Sequence, residues 1–213
     1  MDTSQAAVDA AFDRVVNHRC SAALVSAFFE EQGPFAGTTF DLLEPNDPNR
    51  IDPADLLAIT FLYVVVPPLG VREILGRDAE DLERLLREVP VGVDLWEASV
   101  DHLSAAEAAW TKLREYDGVK DVISGKLLAR KRPQLIPIID SRVTEAIPAP
   151  EGHYWQAFQS SLQNADRRQR VEALRPEALS AQIPLLRLLD VAIWMHHSRG
   201  RSARQARATA GCD

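Results

Sequence analysis

The chain has 213 residues, of which 46% are hydrophobic, and this size and composition suit one helical domain or two small lobes sharing a core. Its two cysteines, Cys20 and Cys212, lie near opposite ends of the sequence, so we expect neither a disulfide framework nor a cysteine-based metal site. No segment reaches the roughly 18 apolar residues of a membrane span, and the first residues lack the pattern of a secretion signal. We therefore expect a cytoplasmic protein without membrane association.

The formal net charge of −7 hides an asymmetry between the two halves of the sequence. Residues 1–117 hold 9 Lys and Arg against 22 Asp and Glu, whereas residues 118–213 hold 15 against 9. A basic half can bind a polyanion while the acidic half limits non-specific contacts. The alternative is that charges of both signs only solubilise exposed helices.

The first half of the chain predicts helices separated by a loop. Apolar residues recur at steps of three and four between residues 3 and 31, which predicts one or two amphipathic helices. The following loop contains the one place where we allow an extended segment, residues 38–42. Asp52 is placed as an N-cap with Pro53 at the first helical position. The run 54–66 is apolar nearly all round, so we expect this helix to lie in the core.

The rest of the chain also predicts helices, about eight to ten in total, and hence an all-α fold. After residue 199 no apolar pattern remains, so we predict a disordered basic tail over 199–213. Residues 1–198 are then a single helical domain, which can consist of two lobes meeting near 117/118. The further helices are predicted at 70–75, 78–89, 105–116, 153–165, 167–174 and 177–197.

The most informative stretch is Tyr116–Ile147, YDGVKDVISGKLLARKRPQLIPIIDSRVTEAI. A helix that ends at Tyr116, a tight turn at Gly118, and a second helix with Ser124 and Gly125 on its first turns have the outline of a helix-hairpin-helix. Main-chain N–H groups at such a turn, with the positive end of the following helix, suit a phosphate group. The sequence therefore predicts an anion site at this turn.

The stretch resembles the helix-hairpin-helix signature of base-excision DNA glycosylases. The family's hairpin reads roughly Leu-Pro-Gly-Val-Gly with an alanine further on, and here 116–120 aligns with it. The family's acid lies in a Val-Asp-Thr-His-Val type of segment, which aligns with 139–143. Lys120 replaces the second hairpin glycine, and the family's four-cysteine cluster is absent. The lyase lysine would fall at Val122, so lyase activity is not expected. The segment LLARKRPQLIPIID also resembles an uncharacterised actinobacterial family.

The resemblance implies roles for particular residues. Asp140 would be the catalytic acid, stabilising an oxocarbenium-like state and orienting a water. The alternative role for Asp140 is an N-cap of the next helix. No cofactor and no metal are implied. A flipped base would stack on Trp96, Trp110, Tyr154 or Trp155. The residues expected to bind DNA phosphates are Gly118, Lys120, Lys126, Arg130, Lys131, Arg132 and Arg142.

Three functions remain open from the sequence. The leading one is a protein that interacts with duplex DNA, either a monofunctional N-glycosylase or a non-catalytic relative. The second is a non-catalytic helical interaction or scaffold protein, homodimeric or bound to an acidic partner through the basic run. The third is an enzyme acting on a small molecule in a pocket behind Asp140. His196 and His197 are read as a cationic pair at a helix end, because no third metal ligand lies at suitable local spacing.

Overall fold

The computed structural model describes residues 3–150 and 152–212 of the chain. These residues form thirteen α-helices and contain no β-strand, so the predicted all-α class is confirmed. The helices outnumber the predicted eight to ten because many are short. None of them is long and apolar enough to cross a membrane. Their bounds are α1 (Thr3–Val16), α2 (Ser21–Phe29), α3 (Thr39–Leu42), α4 (Pro53–Ala58), α5 (Pro68–Arg72), α6 (Ala79–Glu88), α7 (Val100–Arg114), α8 (Asp121–Lys131), α9 (Ser141–Ala146), α10 (Tyr154–Leu162), α11 (Ala165–Glu172), α12 (Leu185–His197) and α13 (Arg201–Ala210), with 3-10 turns at Ile59–Leu62 and Leu95–Glu97 and a π turn at Glu73–Arg77.

The chain divides into two compact units. The terminal unit contains Met1–Thr38 and Ile139–Asp213, and the central unit contains Thr39–Ile138. The predicted meeting point near 117/118 instead falls inside the central unit, in the turn between α7 and α8. The change of charge along the sequence therefore does not mark a boundary between the units.

In the terminal unit, helix α12 is the central element. Helices α1, α2, α9, α11 and α13 pack against it. It begins at Leu185 rather than at the predicted residue 177, because Pro184 is its N-cap in an extended conformation. Its side chains are buried on nearly all sides, as expected of a helix at the centre of a unit. The buried apolar residues of α12 are Leu186, Leu188, Leu189, Val191, Ala192, Ile193 and Met195.

The segment after residue 199 is helical, where the sequence predicts a disordered tail. Residues 201–210 form α13, which packs on α2 and α12. Ala203 is buried, and Arg207 Nη1 donates a hydrogen bond to the Met195 carbonyl at 2.6 Å. Arg19 Nη2 donates to the Gly211 carbonyl at 2.5 Å. These contacts with other elements order a helix that has little apolar pattern of its own.

Cys20 and Cys212 form a disulfide, contrary to the expectation that they are too far apart in sequence to pair. Their Cα atoms lie 5.8 Å apart although 192 positions separate them. Gly211 ends α13 in the left-handed conformation, which turns the chain so that Cys212 reaches the start of α2. Distance along the sequence was a poor guide here because both ends of the chain belong to one unit.

In the central unit, α6 packs on α7 and α7 packs on α8. Helix α7 begins at Val100, five residues before its predicted start. The Ser99 hydroxyl accepts the His102 N–H, and His102 Nδ1 accepts the Ser99 N–H, both at 3.2 Å. This reciprocal capping starts the helix at Val100, so Ser104 lies inside α7, where its hydroxyl donates to the Val100 carbonyl at 2.9 Å.

The predicted core helix over 54–66 is shorter than expected. Its start is confirmed, because Asp52 Oδ1 accepts the Ala54 N–H at 2.7 Å. The α-helix nevertheless ends at Ala58 and becomes a 3-10 turn, after which Tyr63 is left-handed with φ 61°. A β-branched run and two prolines follow, and both disfavour continuation of a helix. The apolar segment therefore does not form one buried helix.

Residues 38–42, where the sequence allows an extended segment, contain helix α3 instead. A strand needs a neighbouring strand to pair its main-chain groups, and the described residues include none. A helical turn pairs some of those groups locally. Phe40 anchors it, with its side chain buried and its carbonyl accepting from Arg130 Nη1 at 2.5 Å.

Candidate functional site

The hairpin between α7 and α8 has the predicted turn at Gly118. Gly118 has φ +69°, and a Cβ placed on it would lie 2.4 Å from Pro67 Cγ, so only glycine fits. The Val119 N–H donates to the Tyr116 carbonyl at 3.1 Å and closes the turn. Lys120, at the position of the family's second glycine, has φ −118°, a conformation that lysine adopts freely. The helix-hairpin-helix outline is therefore present with a single obligatory glycine.

The electrostatic surroundings of this hairpin are acidic. The Asp117 N–H donates to Glu73 Oε2 at 2.9 Å, so a carboxylate of the same chain already occupies a main-chain donor of the turn. At the start of α8, Asp121 forms an ion pair with Arg114 at 2.6 Å. Desolvation, reinforced by the charge of Asp78, raises the pKa of the buried Tyr116 phenol. A phosphate at this turn would have to displace Glu73 and approach other acids.

Two buried cations of the basic run share one buried acid. Arg130 Nε lies 2.7 Å from Asp55 Oδ1, and Lys131 Nζ lies 2.5 Å from Asp55 Oδ2, with all three side chains fully buried. Asp55 Oδ2 also accepts the Asp52 N–H at 2.8 Å, as part of the capping of α4. Burial lowers the pKa of Lys131, an effect that the Asp55 hydrogen bond opposes. The Asp55 carboxylate thus joins α4 to the end of α8.

Other donors of the basic run bind main-chain carbonyls. Arg130 also donates to the carbonyls of Phe40 and Leu43, and Lys131 donates to the Asp47 carbonyl at 2.9 Å. These contacts fix the irregular segment 43–50, whose carbonyl groups need donors.

Arg132 and Lys126 are bound in the same way. Arg132 donates to the carbonyls of Leu86, Val89 and Pro48, and burial lowers the pKa of Arg132 to about 10. Lys126 Nζ donates to the Leu62 carbonyl at 2.8 Å. Lys126, Arg130, Lys131 and Arg132 are each 2–4% exposed. Their placement favours a structural role over the predicted phosphate contact, because a phosphate cannot reach side chains buried this deeply.

Asp140 and Arg142 lie in the terminal unit, whereas the hairpin and the basic run lie in the central unit. Asp140 is the N-cap of α9, where its Oδ1 accepts the Arg142 N–H at 2.8 Å and the Val143 N–H at 3.2 Å. This is the capping role that the sequence offers as the alternative to catalysis. The Arg142 side chain pairs with Glu145 at 2.6 Å. A catalytic role for Asp140 stays a prediction.

The aromatic residues named as stacking surfaces are divided between the units. Trp96 and Trp110 belong to the central unit, and Tyr154 and Trp155 to the terminal unit. All four are half-buried. The Arg114 guanidinium lies 4.3 Å from the Trp110 ring centroid, so that ring face is already covered by a cation.

An exposed apolar surface on the central unit was missed by the sequence reasoning. The segment 56–71 contains sixteen residues and no charged side chain, and five of its large apolar side chains face solvent. We call these five residues the apolar strip. The sequence signal for this surface is the absence of charge in an apolar segment, and the same signal also predicts a buried core helix. The strip consists of Leu57 (53% exposed), Phe61 (37%), Tyr63 (78%), Val65 (69%) and Leu69 (52%).

Local geometry explains why these side chains point outward. The α-helix ends at Ala58, the 3-10 turn ends at Leu62, and the left-handed conformation of Tyr63 ends the helical turns. Beyond it the exposure alternates, with Tyr63 and Val65 exposed and Val66 buried. Some side chains of the segment therefore enter the core while others stay exposed to solvent.

One known protein family matches most of the residues in both units. The model of a family of unknown function, DUF6308, matches residues 21–197. The chain belongs to this family. The match includes the hairpin, the basic run, Asp140 and the apolar strip, but the family has no assigned activity to carry over. No curated protein and no solved structure matches the chain.

Proposed function

We propose that this member of DUF6308 is a non-catalytic helical interaction protein that pairs with a second copy of itself through the apolar strip. The observation that carries the proposal is the exposure of five large apolar side chains on one uncharged segment. Contiguous exposed apolar surface on a folded protein commonly marks a protein interface. The basic run, which first suggested DNA, is buried and is open neither to a phosphate nor to an acidic partner, so the proposed interface does not involve it.

A second copy fits this surface better than an acidic partner does. The central unit has 12 Lys and Arg and 18 Asp and Glu, and removing its buried charges leaves 8 against 17 at the surface. This net negative charge opposes an acidic partner and a second copy alike, so the choice between them rests on the uncharged segment itself. If two apolar strips face each other across a two-fold axis, the facing segments 56–71 are both uncharged, so they do not repel each other. Homodimer interfaces are also the more apolar class of protein interface.

Sedimentation equilibrium over a concentration series tests the proposal. We expect a reversible dimer for the wild type and a monomer for Val65→Glu, because a carboxylate would be buried in the interface. Val100→Glu is the matched control: it makes the same change at a valine that is 80% exposed outside the strip. A wild type that stays monomeric up to about 0.1 mM, which corresponds to binding weaker than about −5.5 kcal/mol, would refute the proposal.

DNA interaction is the second candidate, favoured by the hairpin geometry at Gly118. The exposed cation at this turn is Lys120, and the terminal unit adds Arg142. Fluorescence anisotropy with intact duplex and with duplex containing an abasic analogue, across a salt series, tests it. Binding that falls steeply with salt and weakens in Lys120→Ala would favour this function. Asp140→Asn, which retains an N-cap, would then separate catalysis from binding.

A further inference from the structure

Three side chains that are donors to transition metals meet in the terminal unit, where one donor atom from each of His18, Cys20 and His196 lies within 4.8 Å of the other two. The sulfur of Cys212 is bonded to that of Cys20 and so lies beside this group. We call these four residues the His–Cys cluster. The His18 and His196 ring centroids are 4.9 Å apart. Two cysteines and two histidines are a common ligand set of structural zinc sites.

Separate elements bring these residues together. His18 and Cys20 lie on the turn between α1 and α2, and His196 is on the last turn of α12. Cys212 follows α13, the helix that the sequence reasoning left disordered. No third ligand lies near His196 in the sequence, and for that reason the sequence does not predict a metal site there. The donor groups closest to His196 belong to distant segments.

The hydrogen bonds of His196 fix which of its nitrogens is free. The Ser21 hydroxyl lies 2.5 Å from the Val15 carbonyl, and since a carbonyl cannot donate, the hydroxyl proton lies between them. His196 Nε2 lies 2.7 Å from the same hydroxyl oxygen, so Nε2–H must be the donor there. In the neutral ring Nδ1 then has the free lone pair. Metal-binding histidines are commonly oriented in this way by an oxygen on the other ring nitrogen.

His18 presents the same nitrogen. Its Nδ1 accepts the Cys20 N–H at 3.4 Å and is therefore the unprotonated nitrogen of the neutral ring. This Nδ1 also lies 3.0 Å from Cys20 Sγ, shorter than the roughly 3.6 Å between a nitrogen and a sulfur ligand on one tetrahedral zinc, so the two atoms would move slightly apart on metal binding. Nδ1 is thus the unprotonated nitrogen of both neutral imidazoles, and that of His18 lies beside Cys20 Sγ, where a metal would take the place of the Cys20 N–H.

We propose that reduction of the Cys20–Cys212 disulfide converts the His–Cys cluster into a tetrahedral Zn²⁺ site. In a first step a dithiol attacks the half-exposed Cys212 sulfur, and its second thiol resolves the mixed disulfide. The S–S bond of the protein breaks, two protein thiols form, and the dithiol becomes a cyclic disulfide. Zn²⁺ then displaces the two thiol protons and binds two thiolates and two neutral imidazoles, which cancels the metal charge.

This site exchanges one cross-link for another. The disulfide and the Zn²⁺ site each attach the end of α13 to the turn between α1 and α2. These two segments therefore stay cross-linked in both the oxidised and the reduced protein. The inference is independent of the proposed self-association, because the His–Cys cluster and the apolar strip lie in different units. The two proposals can therefore fail separately.

Zn²⁺ uptake by the full-length protein tests the inference. The protein is reduced with a phosphine, which takes oxygen from water as the disulfide becomes two thiols and competes little for zinc. After excess Zn²⁺ is removed, elemental analysis should find one zinc per reduced chain and none per oxidised chain. Co²⁺ in place of zinc should give tetrahedral d–d bands and thiolate charge-transfer absorption. No uptake after reduction, or equal uptake without it, would overturn the inference.

Variants identify the ligands in a competition titration against a chromogenic zinc chelator. Cys212→Ser and His196→Gln should each weaken binding by at least about 100-fold, and Ser21→Ala by about 10–100-fold because it orients His196. His197→Ala is the matched control on the same helix and should leave the affinity unchanged. Circular dichroism of each reduced variant checks that it is folded. Unchanged affinity in folded Cys212→Ser would overturn the assignment.

Discussion

Replacing Asp55 by asparagine tests whether the basic run is a structural element. The substitution keeps the size of the side chain but removes the carboxylate that contacts the buried cations Arg130 and Lys131, at 2.7 and 2.5 Å. The amide would also direct N–H groups toward a cation or toward the Asp52 N–H that the carboxylate now accepts. Two buried positive charges would remain without their counter-charge.

The cost follows from the complete burial of these side chains. Breaking a buried ion pair by removing one partner costs about 3–5 kcal/mol, because solvent cannot compensate the charge that remains. For a chain of this length that corresponds to a fall in Tm of about 6–20 °C. Glu107→Gln makes the same change of charge at an exposed position of α7 and should change stability by less than about 0.5 kcal/mol.

Urea unfolding and thermal circular dichroism measure the loss, and hydrogen exchange locates it. We expect reduced amide protection in α8 and in segment 43–50, the elements joined by the basic run. Adding Lys131→Met to Asp55→Asn should recover part of the loss, since it removes one uncompensated charge. A loss below about 1 kcal/mol for Asp55→Asn, or one no larger than that of Glu107→Gln, would refute the structural role.

Three further outcomes follow from local geometry. Gly118→Ala should destabilise the protein by about 2–4 kcal/mol, because its φ of +69° and the contact with Pro67 both oppose a Cβ. Gly125→Ala should stabilise it by up to about 1 kcal/mol, because the added Cβ would meet no atom outside its own helix within 4 Å. Urea unfolding measures both changes. Asp140→Ala should cost about 1 kcal/mol and Asp140→Asn much less, since only the second keeps the cap; equal losses would contradict the capping role. Burial lowers the pKa of His196 to about 4, so between pH 6.5 and 4 the unfolded chain binds a proton that the folded chain does not. The free energy of unfolding should therefore fall by at most about 3 kcal/mol as the pH is lowered from 6.5 to 4. In urea titrations at several pH values, His196→Gln should show a weaker dependence on pH than the wild type.

Features that depend on near neighbours were predictable from the sequence. The Asp52 cap of α4, the turn at Gly118 and the Asp140 cap each depend on residues within a few positions, and the structure contains all three. The burial of α12 followed from apolar residues at helical spacing. These features can be predicted because caps and turns require particular residue types at fixed positions, and a buried helix face requires apolar residues at helical spacing.

Features that depend on distant segments were not predictable. The carbonyls of Leu86, Val89 and Pro48 that accept from Arg132 lie more than 40 positions away, so a cluster of cations in the sequence looked like an exposed patch. The partner of Cys20 lies 192 positions away. The apolar strip was predicted to be buried for a different reason. Hydrophobic composition predicts burial, but an apolar segment that remains exposed has the same composition as one that is buried.

Hydrogen exchange of the segment 56–71 at increasing protein concentration tests the proposed self-association most directly. If two copies pair through the apolar strip, amides of this segment in the wild type should exchange more slowly as concentration rises, and those in Val65→Glu should not. The exposed stretch around Val100 should exchange at the same rate throughout. Exchange in 56–71 that is independent of concentration in the wild type, or equally slowed in Val65→Glu, would contradict the account.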